Sequence, residues 1–456
     1  MNKRVFMVSL GCPKNLVDSE VMLGSLARAG YHSCATPEEA QLILVNTCGF
    51  IQPAVEEAVD EILRLVAVKE ENPDIRLVVT GCLVQRYGAE LMKELPEVDL
   101  FLGTESFVDI AARIADLNKQ SSPAMADLAG PPFLMNSTMP RLVSTPSHRA
   151  YLKITEGCSN NCSYCMIPSI RGRLRSRGLD DVMQEAQRLG QQGVRELTLI
   201  GQDLTAYGLD LGGQGPRLVH LLGRLLTETT IPWLRMLYLY PHRITDQLLH
   251  LMANHERLLP YLDIPLQHVS PRILRLMNRP FGAGEIGELF ARIRRIVPQA
   301  AIRTTFIVGF PGETEDDVAM LEDFMETYRL DHVGVFAYSN EEGSAAASLP
   351  DHCSEEEKEE RLHRLMGLQA GISLAKNQEL VGTINQVLVE GVSSETDLLL
   401  EGRLRSQAPE IDGCVYINAG QCEVGDIVAL RITEAQPYDL VGEIVDGDDR
   451  VNRQEE

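Results

Sequence analysis

The chain has 456 residues, 44% of them hydrophobic and 5% aromatic, with a formal net charge of −23. That length accommodates two to four domains with cores of their own, and three is the expected number. No apolar run approaches the ~18 residues of a membrane span, so no membrane role is expected. The acidity excludes the overall basic footprint of a protein that grips a nucleic-acid backbone; it suits a basic partner, or simple solubility.

The first ten residues carry Lys3 and Arg4 but no small-residue cleavage site, and they read as a buried first strand rather than a secretory signal. Ten cysteines are too few and too unevenly spaced for a secreted disulfide scaffold. Reduced thiols or metal ligands are expected, and with them a cytoplasmic location.

Up to residue 118, short apolar runs at 5–10, 42–45, 75–79 and 98–102 alternate with amphipathic segments at 18–29, 53–68 and 85–94. That alternation predicts a small doubly wound α/β domain with a parallel sheet. Residues 119–148 lose the periodicity and gather Ser and Pro, which predicts a linker. Six further strands follow, at 151–154, 196–200, 234–240, 261–264, 302–308 and 333–338. Helical segments at 180–189, 219–226, 271–277, 284–296 and 314–328 separate them, so 149–376 is expected to be a partial (β/α)6 barrel. A charged helix spans 354–380. Beyond it, short β-rich runs at 384–389, 398–400, 414–417 and 427–432 predict a small β-barrel over 377–447, followed by an acidic tail at 448–456. From Ser373 to Glu456 there are 17 Asp or Glu and 6 Lys or Arg, a net of −11.

The strongest chemical signal is Cys158-Ser-Asn-Asn-Cys162-Ser-Tyr-Cys165. Three thiolates at CxxxCxxC spacing can hold a cubane iron–sulfur cluster and leave one iron open to a small molecule. A structural zinc site is the competing reading, but it needs a fourth Cys or His, and none is apparent from 151 to 189. The motif follows the first barrel strand, on the face where such barrels carry their sites. A second set is dispersed: Cys12, Cys48 and Cys82 each come just after a predicted strand of the first domain. In an open α/β sheet those positions converge on one edge, where they could ligate a second cluster or sit as buried core cysteines. Cys34, Cys353, Cys414 and Cys422 read as packing or surface residues.

Other residues are placed at the same face. Ile307-Val308-Gly309-Phe310-Pro311-Gly312-Glu313 ends a strand in a Gly-rich turn that lets the backbone approach a ligand, or merely turns. Gln202, Asp203, His242, Gln267, His268 and Arg303 stand at strand ends. Arg171, Arg173, Arg175 and Arg177 could form a positive patch that grips a carboxylate or phosphate, or a solvated loop.

Taken together these residues resemble the radical S-adenosylmethionine methylthiotransferases, whose plan of N-terminal cluster domain, radical core and C-terminal TRAM domain matches essentially the whole chain. Ser9-Leu10-Gly11-Cys12-Pro13-Lys14-Asn15-Leu16-Val17-Asp18-Ser19-Glu20 is similar to the opening of the RimO-type branch, which modifies an aspartate of a ribosomal protein. Relatives that modify tRNA, such as MiaB, usually carry Gln where Pro13 stands. Tyr151-Leu-Lys-Ile154, Tyr261-Leu-Asp-Ile-Pro-Leu-Gln-His268 and Ala408-Pro-Glu-Ile-Asp-Gly413 add to the match.

The resemblance implies two [4Fe-4S] clusters, one on Cys158, Cys162 and Cys165, the other on Cys12, Cys48 and Cys82. The first would bind S-adenosylmethionine and cleave it to a 5′-deoxyadenosyl radical, with Tyr164 packed near the adenine. The second would carry the sulfur that is methylated and transferred to the β-carbon of an aspartate. Gln202, Asp203, Gln267, Arg303 and Gly309 are the expected further cofactor contacts, and no catalytic residue is assigned outside the clusters. The superfamily's Gly-Glu-Glu is replaced here by Gly201-Gln202-Asp203, which leaves those contacts open. The implied substrate is the basic small-subunit ribosomal protein number twelve, since the acidic last domain repels RNA phosphate and attracts a basic protein. A tRNA adenosine methylthiotransferase and a non-catalytic iron–sulfur carrier are the alternatives. The electron donor, the sulfur source and the oligomeric state are not legible in the sequence.

Overall fold

The computed structural model describes residues 3–117, 124–125, 133–213, 215–279, 281–393 and 395–445. Of the expected linker, 119–123 and 126–132 lie outside the described residues, as does the tail at 448–456.

The first third folds as β1 (Lys3–Ser9), α1 (Pro13–Arg28), β2 (Tyr31–Ser33), β3 (Leu42–Thr47), α2 (Gln52–Glu71), β4 (Arg76–Gly81), α3 (Cys82–Glu94), β5 (Leu100–Leu102), α4 (Ile110–Leu117) and β6 (Ala124–Met125). The strands form one parallel sheet in the order β2-β1-β3-β4-β5-β6. β3 is buried along its whole length, as a strand covered on both faces must be. The order reverses direction between β1 and β3, and at such a switch point the carboxyl ends of the strands open a crevice. β2 and β6 were not read from the sequence; they are too short for an alternation to register. α1 starts at Pro13, well ahead of the expected position 18. Lys14, Asn15, Asp18, Ser19 and Glu20 all lie on its buried face, so polar residues mask the apolar period of its first turns.

The central region comprises β7 (Arg149–Lys153), β8 (Thr155–Glu156), α5 (Ile167–Ile170), β9 (Arg175–Ser176), α6 (Leu179–Gln191), β10 (Glu196–Ile200), α7 (Leu218–Glu228), β11 (Trp233–Met236), α8 (Asp246–Asn254), β12 (Tyr261–Asp263), α9 (Pro271–Leu276), α10 (Ala283–Ile296), β13 (Ala301–Val308), α11 (Glu315–Tyr328) and β14 (His332–Ala337). Parallel sheets β11-β10-β7 and β12-β13-β14 are joined where Leu259 N donates to Leu234 O (2.9 Å) and Leu239 N to Asp263 O (2.8 Å). The result is an open partial barrel of six βα units. α8, capped by the Thr245 hydroxyl, adds a helix beyond those expected.

α12 (Glu355–Leu380) opens with a capping box between Ser354 and Glu357 and leads into the last domain. There β15 (Ile384–Val392), β16 (Leu400–Leu404), β17 (Val415–Ala419), β18 (Ile427–Ala435) and β19 (Leu440–Ile444) close a barrel in the order β15-β16-β17-β19-β18. The strand expected at 398–400 lies further on, at β16, and β19 was not anticipated. Buried ion pairs dock this barrel on the core: Arg403 holds Glu196 (2.5 Å), which Arg235 also holds (2.5 Å). The Tyr261 hydroxyl and Ala408 N both donate to Asp412 (2.7 and 2.8 Å). Among the described residues no helix is long and apolar enough to cross a membrane.

Candidate active site

Cys12 caps the start of α1, Cys48 follows β3, and Cys82 is the first residue of α3. Three strand ends of one parallel sheet therefore deliver three thiols to one edge, and two of them stand at helix N-termini, whose partial positive charge favours thiolate or an anionic group. The turns pack closely. Gly11 has φ +87°, and a Cβ there would lie 2.7 Å from Cys48 Cβ, so only glycine lets the Cys12 and Cys48 turns meet.

The second triad sits in a loop closed at its base by the antiparallel pairing of β8 with β9. Cys158 N donates to Gly172 O (3.0 Å), and Ser163 N and Oγ donate to the carbonyls of Met277 and Leu276 after and in α9 (3.0 and 2.8 Å). Asn278 Nδ2 reaches Asn161 O (2.6 Å). The loop is thus fastened at both ends before any ligand enters.

Both triads line a single cavity of about 460 Å³, together with Lys14, Tyr164, Arg171, Gln202, Asp203, Tyr238, Asp263, Gln267, Arg279 and Arg303. That volume is in the ordinary range for a small-molecule site. All ten cysteines are free thiols, and Cys34, Cys353, Cys414 and Cys422 do not line this cavity. Among the described residues no three His, Cys, Asp or Glu side chains converge on one ion.

The donor set fits iron–sulfur clusters chemically. Backbone N–H groups of Asn160 and Ile167 point at the sulfurs of Cys158 (3.4 Å) and Cys165 (3.5 Å), and Arg279 NH1 points at Cys162 Sγ (3.6 Å). Hydrogen bonds of this kind tune a cluster's potential. Burial pushes the Cys165 thiol up to about 12 and the Cys82 thiol up to about 11. At Cys12 burial pushes the same way, but Lys14 and Arg171 outweigh it and the thiol ionises below its ordinary pKa.

Between the triads runs a buried charge network. Arg171 donates from Nε to Cys82 Sγ (3.3 Å), from NH1 to Asp18 (2.6 Å) and from NH2 to Asn15 Oδ1 (3.0 Å). Lys153 binds Asp18 and Glu156. Burial would raise the Glu156 carboxyl, but Lys153, Arg171 and the Gln202 amide hold it down at about 2. The arginine run is therefore no surface patch. Arg171 and Arg177 are buried, Arg177 on Glu185 (2.5 Å) and Arg175 on Glu105 (2.7 Å), and Arg173 alone of the four is exposed.

The strand-end residues divide. Gln202 lines the cavity; its Nε2 donates to Glu156 (3.0 Å), while its Oε1 is buried with no partner among the described residues. Asp203 is saturated: Asn160 Nδ2 (2.8 Å), Arg243 (2.6 Å) and Thr205 (2.5 Å) all donate to it, so it holds the cysteine loop. Gln267, with φ +73°, bridges β13 through Thr305 O and Ile307 N. Arg303 is paired with Asp263 (3.1 Å) and Asp412 (3.5 Å). The Tyr164 hydroxyl accepts from Arg279 (3.4 Å). Gly309 does not line the cavity; it packs against Lys358 of α12. His268 is buried beside Glu313 (3.8 Å) and is held neutral, at about 3, chiefly by burial. His242 packs edge-on to Phe281 outside the cavity.

Lys14, Glu156, Tyr238, Asp263 and Arg279 were not singled out from the sequence. The available signal was polar residues on an otherwise inward helix face (Lys14) or beside a cysteine motif (Glu156); for Arg279 none is evident.

This architecture and site define a radical S-adenosylmethionine enzyme with a TRAM domain, and the comparisons agree. Residues 4–103 match an uncharacterized protein family, UPF0004; 152–325 match the radical SAM superfamily; 381–445 match the TRAM domain. A ribosomal protein uS12 methylthiotransferase RimO of Desulfotalea psychrophila is 54% identical over 442 residues, covering 96% of this chain and 98% of that relative. Its counterpart in Geobacter sulfurreducens is 51% identical over 444 residues, covering 97% and 99%. The chain belongs to this RimO family of radical S-adenosylmethionine methylthiotransferases. Among solved structures, the radical S-adenosylmethionine methyltransferase TsrM of Kitasatospora setae aligns with a TM-score of 0.53 at 14% identity, over 73% of this chain and 72% of that one. That likeness concerns the fold alone. The superfamily brings one [4Fe-4S] cluster and S-adenosylmethionine.

Proposed function

We propose that this chain inserts a methylthio group at the β-carbon of an aspartate in ribosomal protein uS12, using two [4Fe-4S] clusters and S-adenosylmethionine. The observation that carries the reading is the single cavity faced by both cysteine triads. Transfer of a sulfur group onto an unactivated carbon needs the radical source and the sulfur carrier within reach of the same C–H bond. In this reading domains 1–118, 149–376 and 377–447 supply the sulfur side, the radical side and the substrate-facing barrel.

Cys158, Cys162 and Cys165 would hold the radical cluster, and Cys12, Cys48 and Cys82 the auxiliary one. The bound groups supply the one-electron chemistry, the hydrogen-abstracting radical and the methylthio unit; the protein supplies position. Asp203 and Asn160 fix the radical-side loop. Arg171 ties the auxiliary edge to the core, so the two triads keep one separation. Gln202, Gln267, Arg303 and Tyr164 would meet S-adenosylmethionine, and Gly309 would shape a turn outside the cavity. A cytoplasmic setting and a lysine- and arginine-rich substrate fit the reduced thiols and the acidic last domain.

The test is anaerobic reconstitution with iron and sulfide, then incubation with S-adenosylmethionine, reductant and uS12 beside a tRNA control, read by intact mass. The expected result is one methylthio group on uS12 alone, absent from a Cys12, Cys48, Cys82→Ala triple variant. Modified tRNA with unmodified protein would transfer the same chemistry to a different substrate, and failure to cleave S-adenosylmethionine would favour an iron–sulfur carrier.

A further inference from the structure

Two buried cations lining the cavity have no carboxylate partner among the described residues: Arg279, which donates to the Tyr164 hydroxyl and Pro265 O, and Lys14. Lys14 lies in the first turn of α1, is 8% exposed and lines the cavity wall. Its Nζ stands 3.4 Å from the centre of the Tyr238 ring, and no carboxylate forms an ion pair with it among the described residues. Asp263, the acidic side chain that acts on it from further away, is already committed: it accepts from Arg303 (3.1 Å) and from Tyr238 N (2.9 Å). Arg303 is in turn paired at both ends.

The ring that holds Lys14 is itself held at a cost. Tyr238 has φ +63°, a left-handed conformation that a bulky side chain keeps only when its surroundings enforce it. With Gln267 it is one of two such residues lining this cavity. The backbone bond to Asp263 fixes the turn, and the turn lays the ring under the ammonium. The ammonium is attracted to the ring face and also hydrogen-bonds the Tyr238 side chain, so one aromatic residue holds it at the cavity. Lys14 lines the same cavity as Cys12, Cys48 and Cys82 and as Cys158, Cys162 and Cys165.

We propose that Lys14 anchors the carboxylate of the substrate's aspartyl side chain, which makes it the residue that selects aspartate. The inference rests on the function proposed above. The carbon to be modified is bonded directly to that carboxyl carbon, so fixing the carboxylate at Lys14 fixes the C–H bond one atom further on, between the two triads. A neutral amide at the same place forfeits the charge-assisted bond and is bound less well. The amino-acid carboxylate of S-adenosylmethionine shares this chemistry, and the experiment separates the two.

Reconstituted full-length enzyme and its Lys14→Met and Lys14→Arg variants would be titrated with fluorescent uS12 and with uS12 carrying Asn at the modified aspartate. Affinity is read by anisotropy and normalised to iron content, and S-adenosylmethionine affinity is read by equilibrium dialysis. The parent is expected to prefer the aspartate form by about 10- to 100-fold. Lys14→Met is expected to lose that preference while keeping its S-adenosylmethionine affinity, and Lys14→Arg to retain part of the preference. A Lys14→Met variant that still prefers aspartate overturns the proposal, as does one whose only loss is in S-adenosylmethionine affinity. If the parent binds neither form of uS12, the function proposed above fails first.

Discussion

Arg171 of the radical core donates its Nε–H to the sulfur of Cys82 in the N-terminal sheet, 3.3 Å away, and the same guanidinium binds Asp18 and Asn15 of that domain. One buried side chain thus spans the boundary on which the relative position of the two triads depends. Arg171→Ala would leave Asp18 and Glu156 short of a buried partner, and losing one member of such a set costs about 3–5 kcal/mol. The expected result is a lower denaturant midpoint and less iron bound through Cys12, Cys48 and Cys82. Arg171→Lys keeps the charge but not the planar fork and should fall between the two. Denaturation curves with iron assays check both; an alanine variant as stable as the parent removes the strut from the account.

Acid stability should depend on Glu156. Its native carboxyl titrates at about 2, below the value near 4.3 of an unfolded chain. A depressed native pKa stabilises the fold above the unfolded value, and that contribution is lost as pH falls from about 4 towards 2. Melting temperatures measured between pH 5 and 2 are expected to drop, and to drop less steeply in Glu156→Gln. The slope should not vanish in that variant, because Asp317 and Glu390 are also held at about 2.

Glu313 carries the opposite sign. Burial lifts its carboxyl to about 7, against the pull of Arg361 3.3 Å away. The native state then keeps a proton that the unfolded chain gives up near pH 4.3, so stability declines as pH rises from there to about 7, by up to about 1.4 kcal/mol per pH unit, and is level above. Glu313→Gln should abolish that decline. Urea titrations at pH 5, 6, 7 and 8 measure it, and a parent protein equally stable at all four would contradict the burial argument.

The parts legible in the sequence were those with a repeating signal. Alternating apolar runs located β1, β3 and β4, and with them the shared edge of Cys12, Cys48 and Cys82, because parallel strands place their carboxyl ends together. The local spacing of Cys158, Cys162 and Cys165 needed no fold at all. What escaped was polar and long-range. The first turns of α1 point Lys14, Asn15 and Asp18 inward, where apolar residues are the rule, and Arg171 and Lys153, the partners of Asn15 and Asp18, lie more than a hundred residues on. The alternating arginines from 171 to 177 looked like a cationic surface because sequence cannot reveal that Glu185 and Glu105 arrive to meet them. Short elements such as β2 and β19 carry too few residues for a period to show.

Neighbouring residues at the end of β10 should separate by readout. Asp203 holds Asn160 and Arg243, so Asp203→Asn is expected to loosen the cysteine loop, with less iron on Cys158, Cys162 and Cys165 and cofactor cleavage down about 10- to 100-fold, as for other outer partners of metal ligands. Gln202 lines the cavity and its Oε1 has no partner among the described residues, so Gln202→Ala should weaken S-adenosylmethionine binding by roughly 10-fold and leave the iron content alone. Gly309 provides the contrast. It has φ +70°, and a Cβ there would lie 2.2 Å from Lys358 Cγ, so Gly309→Ala should lose roughly 1–3 kcal/mol of stability. Its effect on S-adenosylmethionine affinity discriminates two roles: no change means the turn acts only through packing on α12, and a loss like that of Gln202→Ala means that its backbone meets the cofactor.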